Sequence, residues 1–142
     1  MRILAFLAAL LALTGCQPKA IYVSDGYVRL PAVPKHPAVA YFTLHGGAAD
    51  ATLVSVTTEV AIRTELHESM QKDNMASMKP IDHIALPAAS KIVFAPGGKH
   101  VMLYDMNPTI VPGRTVPLLF TFADGLRIQY NAPAIAAGDP AP

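Results

Sequence analysis

Short apolar segments separated by turn residues constrain this chain to an all-β fold. The segments are rich in β-branched and aromatic residues and are bounded by Gly, Pro, Asn or Asp, as at residues 39–45 (VAYFTLH). Residues 116–122 and 126–130 flank Asp124-Gly125, a dipeptide typical of β-hairpin turns. No window of about 11 residues has the period of an amphipathic helix. About eight or nine such strands predict a single domain with an antiparallel β-sandwich fold.

The N-terminal segment predicts export and lipid attachment. Arg2 precedes an apolar run that is too short to cross a membrane as a permanent helix, and the run ends in LTGC at residues 13–16. These residues resemble the lipobox of bacterial lipoproteins, in which the cysteine is acylated. We therefore expect a lipoprotein signal peptide at residues 1–15, followed at residues 16–20 by the lipidated Cys16 and a tether. An ordinary signal peptide with an incidental cysteine is the alternative.

The cysteine count and the charge exclude several classes of protein. Cys16 is the single cysteine of the chain, so no internal disulfide framework can form and the domain depends on its hydrophobic core. Without Arg2, the expected mature chain has ten basic and ten acidic residues and a formal net charge of zero. No basic patch indicates nucleic-acid binding. We expect a monomer that is held at a membrane surface in the cell envelope or periplasm.

The remaining chain is expected to hold one folded domain and a tail. Residues 21–132 contain all the strand-like segments and form the domain. Residues 133–142 are mostly Ala, Gly and Pro with one charged residue, a composition typical of a flexible tail. The sequence contains no internal repeat and no second domain.

One stretch, residues 67–102, concentrates side chains that bind soft metal ions. It contains three of the five histidines and four of the six methionines: His67, Met70, Met75, Met78, His83, His100 and Met102. Imidazole and thioether donors without a thiolate favour late transition metals, and Cu(I) above all. Hard cations such as Mg²⁺ or Ca²⁺ prefer oxygen ligands. The stretch therefore indicates a candidate site for a soft metal ion, and the alternative is that the clustering is a coincidence.

Strand geometry selects four of these residues. Residues two apart in a strand share a face, so His100 and Met102 are expected to lie side by side. His67 is expected to end a strand, and residues 69–77 are expected to form a polar loop that brings Met78 back to it. Two imidazoles and two thioethers from three segments can then bind one ion.

The other histidines and methionines have simpler interpretations. Met70 and Met75, in the expected loop, remain candidates for accessory or alternate ligands. Met106 follows an apolar run and is expected to fill the core, as an isolated methionine usually does. Three histidines are expected to be structural or exposed: His36, His45 and His83.

The spacing of the four selected residues resembles a known family. His67-x10-Met78-x21-His100-x-Met102 matches the signature of the periplasmic copper chaperones called PCuAC. The turn at residues 96–98 and several strand segments are also similar to that family, and the resemblance covers residues 21–131. Asn74 stands where relatives often have Gly, and we expect the turn to form because Asn tolerates left-handed backbone.

This resemblance implies a cupredoxin-like β-sandwich with Greek-key topology that binds one Cu(I) through the two histidines and two methionines. It also implies delivery to a respiratory cytochrome c oxidase, at the subunit that carries the CuA centre, directly or through an Sco-type thiol protein. Cu(II) is a second ion that the site could take. A blue-copper electron carrier would need a thiolate beside the histidines, and the single cysteine lies elsewhere. No catalytic arrangement stands out, so we expect no enzymatic activity.

Three other interpretations remain open. A copper-sequestering or copper-tolerance lipoprotein would use the same residues without a dedicated acceptor. A structural envelope domain would make the Met-rich stretch incidental. A thiosulfate-oxidation-type carrier is disfavoured because it would need a reactive cysteine near the C-terminus.

Overall fold

The computed structural model describes residues 18–142, which form ten β-strands and no helix. The strands are β1 (Tyr22–Arg29), β2 (Ala38–His45), β3 (Ala51–Thr57), β4 (Ala61–Lys72), β5 (Met75–Pro80), β6 (Ile84–Leu86), β7 (Lys91–Phe94), β8 (Lys99–Met106), β9 (Thr115–Phe122) and β10 (Arg127–Ile135). Across these residues, no helix has the length and apolar character needed to cross a membrane. The all-β prediction is confirmed. The predicted signal peptide and Cys16 lie outside the described residues.

The ten strands form one continuous sheet in the order β5-β4-β8-β7-β2-β1-β10-β9-β3-β6. Most neighbouring strands are antiparallel, but β1 pairs with β10 and β7 with β8 in parallel. The β1–β10 pairing joins two halves of the sheet, with β3, β6, β9 and β10 on one side of it and the other six strands on the opposite side.

The two halves pack face to face around an apolar core. In β9 every second side chain from Val116 to Phe122 is buried, which is the two-residue period of a strand with one covered face. Phe42 of β2 stacks on Phe94 with 4.2 Å between ring centroids and meets Phe120 of β9 edge to face at 4.7 Å. The core therefore covers one face of each half and leaves the outer face of β4 and β8 available for other side chains.

Strand β1 pairs with β2 on one side and with β10 on the other, and these two strands lie far apart in the sequence. Its pairing with β2 changes register between Ser24 and Tyr27, and Asp25 has a φ of 53° there, so the strand contains a β-bulge. Gly26 lies against the ring of Tyr130, which an added Cβ would approach to 2.4 Å. The Gly26 N–H donates to the Tyr130 hydroxyl at 3.1 Å. Glycine at this position thus lets the bulge pack closely on β10.

Residues 69–77, predicted as a polar loop, belong to a β-hairpin instead. Strand β4 continues past His67 to the turn, and β5 pairs with it as an antiparallel neighbour. Asp73 and Asn74 connect the two strands with φ values of 52° and 62°, the left-handed pair that a two-residue hairpin turn requires. Asn74 thus adopts the conformation expected of it. The sequence conceals the hairpin because β5 is exposed throughout and has no apolar alternation.

The last strand extends beyond the predicted domain boundary at residue 132. Strand β10 ends at Ile135, and its final two residues pair in parallel with the end of β1. The Arg29 guanidinium then donates to three backbone carbonyls between residues 136 and 139 at 2.7 to 3.2 Å. The segment expected to be a flexible tail therefore begins as strand. Composition could not show this, because the partners lie far apart in the chain.

Candidate metal centre

The outer face of β5, β4 and β8 collects the four predicted ligands. Directly opposed residues of an antiparallel pair share a face, as do residues two apart along a strand. His67 opposes His100 across β4 and β8, and Met102 lies two residues further along β8. Met78 opposes Ser69, which lies two residues beyond His67. Three strands therefore bring two histidines and two methionines to one region of the sheet.

Strand β8 is covered on both faces at this point. Val101 is fully buried in the core between its two neighbours, His100 and Met102, which face the opposite way and are only 4% and 8% exposed. Tyr41 of β2 forms one wall, with its ring centroid 6.5 Å from that of His100. Burial, reinforced by Tyr27, raises the pKa of Tyr41, so its phenol stays protonated near neutral pH. The two β8 side chains are thus held in a largely dry environment.

His100 presents one ring nitrogen to Met78. Its Nδ1 lies 3.0 Å from the Gly98 carbonyl oxygen, which can only accept, so Nδ1 carries the proton and donates it. The other nitrogen, Nε2, lies 3.2 Å from the Met78 Sδ atom. When the ring is neutral, Nε2 of His100 and Sδ of Met78 each have a free lone pair. Bonds from zinc to imidazole nitrogen and to sulfur are roughly 2.0 and 2.3 Å, and on that scale one ion can contact both atoms.

His67 lies beside His100, with 5.8 Å between the ring centroids. Its Nε2 is 2.9 Å from a carboxylate oxygen of Glu65, whereas its Nδ1 is buried and has no hydrogen-bond partner. Burial, and then the charge of Arg63, lower the pKa of His67, so the ring is neutral at neutral pH. A neutral imidazole with an unused lone pair fits the requirement of a metal ligand.

Met78 is the exposed member of the group. Its side chain is 57% exposed on β5, an edge strand of the sheet, whereas His67 is 12% exposed. The site is therefore open on the side of Met78 and closed on the side of β8.

Met70 and Met75, which the sequence left as candidates for accessory or alternate ligands, lie on the other face of the hairpin. Met70 opposes Ser77 and Met75 opposes Lys72, at positions that alternate with those of the site residues. Both are exposed, at 46% and 73%. The structure does not bring them to the four side chains described above, because the loop that was expected to carry them is a pair of strands.

The remaining histidines and methionine have other surroundings. Met106 packs against the core, as expected, and His36 and His83 are exposed. His45 stacks on Tyr22 and lies 2.8 Å from the Ser24 hydroxyl, so it has a structural environment. Within residues 18–142, no three His, Cys, Asp or Glu side chains form a metal-binding group.

Three neighbours of the candidate ligands were not singled out from the sequence: Tyr41, Glu65 and the Gly98 carbonyl. Glu65 had a usable signal, because a residue two before a histidine in a strand shares its face. No such signal marked Tyr41 or Gly98 as a neighbour of His100. The contact of Tyr41 depends on the pairing of β2 with β8, and that of Gly98 depends on the turn before β8.

A broad depression of about 1210 Å³ lies at the other end of β4 and β8. Leu30, Val60, Met106 and Ile110 are among the apolar side chains that line it, and none of the candidate ligands does so. The depression is therefore separate from the candidate metal centre.

Solved structures that are similar to this one include PCuAC domains. The copper-bound PCuAC domain from PmoF2 matches with a TM-score of 0.67 and 21% identity, over 84% of this chain and 98% of that one. The solution structure of the Cu(I) form of DR1885 from Deinococcus radiodurans matches with a TM-score of 0.68 and 24% identity, over 86% and 83% of the two chains. The chain is thus a β-domain with the PCuAC fold, and the expected resemblance is confirmed at the level of the fold.

Sequence comparison identifies the family. A family model matches residues 21–134, and the chain belongs to the LpqE-like lipoprotein family. A relative from Leifsonia xyli subsp. xyli (strain CTCB07), named "Putative lipoprotein Lxx21020", is 28% identical over 133 residues, which cover 83% of this chain and 79% of the relative. Membership of a lipoprotein family agrees with the lipobox resemblance at residues 13–16.

Proposed function

We propose that this protein is an envelope copper chaperone that binds one Cu(I) through His67, Met78, His100 and Met102. It is anchored to a membrane by the lipid on Cys16. It delivers its ion to the copper centre of a respiratory cytochrome c oxidase, directly or through an Sco-type thiol protein. The observation that carries the proposal is the 3.2 Å approach of His100 Nε2 to Met78 Sδ, with the proton of His100 engaged elsewhere.

The donor set supports copper as the cargo. Two neutral imidazoles and two thioethers suit Cu(I), whereas Mg²⁺ and Ca²⁺ prefer oxygen ligands. The buried, unpartnered Nδ1 of His67 is a further donor that no protein group uses. The structural relatives support the same ion, since one is a copper-bound PCuAC domain and another is a Cu(I) protein.

The exposure of the site supports transfer. Three of the four side chains are mostly buried, but Met78 is 57% exposed and lies on an edge strand. An acceptor can therefore approach the ion from the Met78 side. A neutral set of nitrogen and thioether donors should hold Cu(I) less tightly than thiolates do, so an acceptor with cysteines can take the ion downhill.

A transfer assay tests the proposal. The soluble domain, loaded with one equivalent of Cu(I) without oxygen, is mixed with the metal-free soluble domain of an oxidase subunit that carries the CuA site. Native mass spectrometry then reports which protein holds the copper, and an Sco-type protein is the second acceptor. We expect copper to move to an acceptor, and we expect the His100→Ala variant to take up little copper while folding normally.

Two results would contradict the proposal in different ways. If the loaded protein keeps its copper in the presence of both acceptors, the site serves sequestration rather than delivery. If His100→Ala binds Cu(I) as tightly as the unmodified chain, the site assignment is wrong.

A further inference from the structure

A row of side-chain contacts leads from Tyr104 through Arg63 and Glu65 to His67. Arg63, Glu65 and His67 alternate along β4, so they share its outer face. The Arg63 guanidinium lies 3.8 Å above the ring of Tyr104 and forms an ion pair with one oxygen of Glu65. The second carboxylate oxygen of Glu65 is the one that lies 2.9 Å from His67 Nε2. Each oxygen of the Glu65 carboxylate therefore has its own partner, Arg63 for one and His67 for the other.

This contact determines which nitrogen of His67 carries the proton. An ionised carboxylate can only accept hydrogen bonds, so Nε2 of the neutral ring must be the donor. The lone pair is then on Nδ1, which is buried and has no partner. His100 has the reverse arrangement, because its Nδ1 donates to the Gly98 carbonyl. The nitrogen with the free lone pair is therefore Nδ1 in His67 and Nε2 in His100.

We propose that Glu65 is a positioning residue that holds His67 with Nε2 protonated, so that the metal is bound through Nδ1 of His67 and Nε2 of His100. The metal-binding part of this inference rests on the proposed copper site, whereas the protonated nitrogen is a property of the metal-free protein. A carboxylate that accepts a hydrogen bond from a ligating histidine fixes the orientation of the ring, and its loss usually lowers metal affinity by about 10- to 100-fold.

Nitrogen NMR of the metal-free protein tests the first half. At a pH where both rings are neutral, we expect His67 to have a protonated Nε2 and a bare Nδ1, and His100 to have the reverse. The Nε2 proton of His67 should exchange slowly with water, and Glu65→Ala should abolish that protection. A wild-type His67 with its proton on Nδ1, or equal protection in Glu65→Ala, would overturn the inference.

Copper affinity tests the second half, with a matched control. Glu68 neighbours His67 on the opposite face of β4, where it bonds to Lys99 at 2.9 Å. We expect Glu65→Ala to lower Cu(I) affinity by about 10- to 100-fold and Glu68→Ala to leave it unchanged. Glu65→Gln, whose amide oxygen can still accept from Nε2, should recover part of the loss.

A double-mutant cycle separates positioning from a general structural effect. In a His67→Ala background, Glu65→Ala should cause little further loss of affinity, because the group that it positions is absent. An equal loss in both backgrounds would overturn the positioning role. If the unmodified protein bound no Cu(I), the proposed function would fail, and the NMR of the metal-free protein would still decide the state of His67.

Discussion

Replacing Met78 by leucine tests the metal centre with little risk to the fold. The substitution removes the thioether whose sulfur lies 3.2 Å from His100 Nε2 and leaves a side chain of similar volume. Met78 lies on the exposed edge strand, so its packing contributes little to stability. The change therefore acts on the donor set alone.

The expected loss can be bounded from the arrangement of the site. Loss of a group that merely supports a metal ligand costs about 10- to 100-fold in affinity, so loss of a ligand itself should cost about 100-fold or more. This corresponds to about 2.8 kcal/mol or more in binding free energy, because each tenfold change is about 1.4 kcal/mol. The free energy of unfolding of the metal-free protein should change by less than about 0.5 kcal/mol, as for other exposed positions.

Competition with a chromogenic Cu(I) chelator under anaerobic conditions measures the effect. Met75→Leu is the matched control, because Met75 is on the same strand but on the opposite face. Zn²⁺ affinity should fall far less than Cu(I) affinity in Met78→Leu, since a neutral thioether suits the softer ion. Unchanged Cu(I) affinity in Met78→Leu, equal losses in the two variants, or an equal collapse of Zn²⁺ binding would refute the reasoning.

Three other expected outcomes concern acidity, the core and the hairpin. The free energy of unfolding of the metal-free protein should be level above about pH 6.5 and fall below it, whereas Cu(I) affinity should fall at a lower pH, where His67 of the folded protein takes up a proton. The pKa of His67 is lowered from 6.5 by burial and Arg63, so the unfolded chain takes up the proton first as the pH falls. Chelator competition and thermal melts across pH measure this. Phe42→Ala should lower the free energy of unfolding by about 3–5 kcal/mol in urea titrations, because it empties a ring-stacked core position. Asn74→Val should weaken Cu(I) binding in the chelator assay by straining the turn that places Met78, whereas Asn74→Gly should not.

The strands with one buried face were predictable because their pattern is local. Residues 39–45 and 116–122 were expected as strands, and β2 and β9 lie there. The β4–β5 hairpin and the end of β10 were not expected, for opposite reasons. Strand β5 buries nothing, so pairing rather than apolar alternation defines it. The end of β10 is Ala- and Pro-rich, and it is ordered by the distant β1 and Arg29.

The candidate ligands were predictable from chemistry and spacing, but their surroundings were not. His67 and His100 lie side by side in the structure, and Met78 lies next to His100 through strand register rather than through a loop. The same register turns Met70 away, although the sequence kept it as a candidate. Sequence spacing cannot distinguish the two faces of a hairpin before the hairpin is known, because a shift of one residue exchanges them.

In β4 and β8, alternate side chains face the core and the candidate metal centre. In β8, Val101 enters the core between His100 and Met102, and in β4 Leu66 does so beside His67. A register slip that exposed one of these candidate ligands would therefore also expose the core, so the fold fixes the positions of His67, His100 and Met102. Met78 has no such constraint, because its strand pairs on one side only and is exposed along its length. Under the proposed function, three candidate donors held by the core and one on a free edge suit an ion that must be bound selectively and then released to an acceptor, whereas storage would favour a closed site.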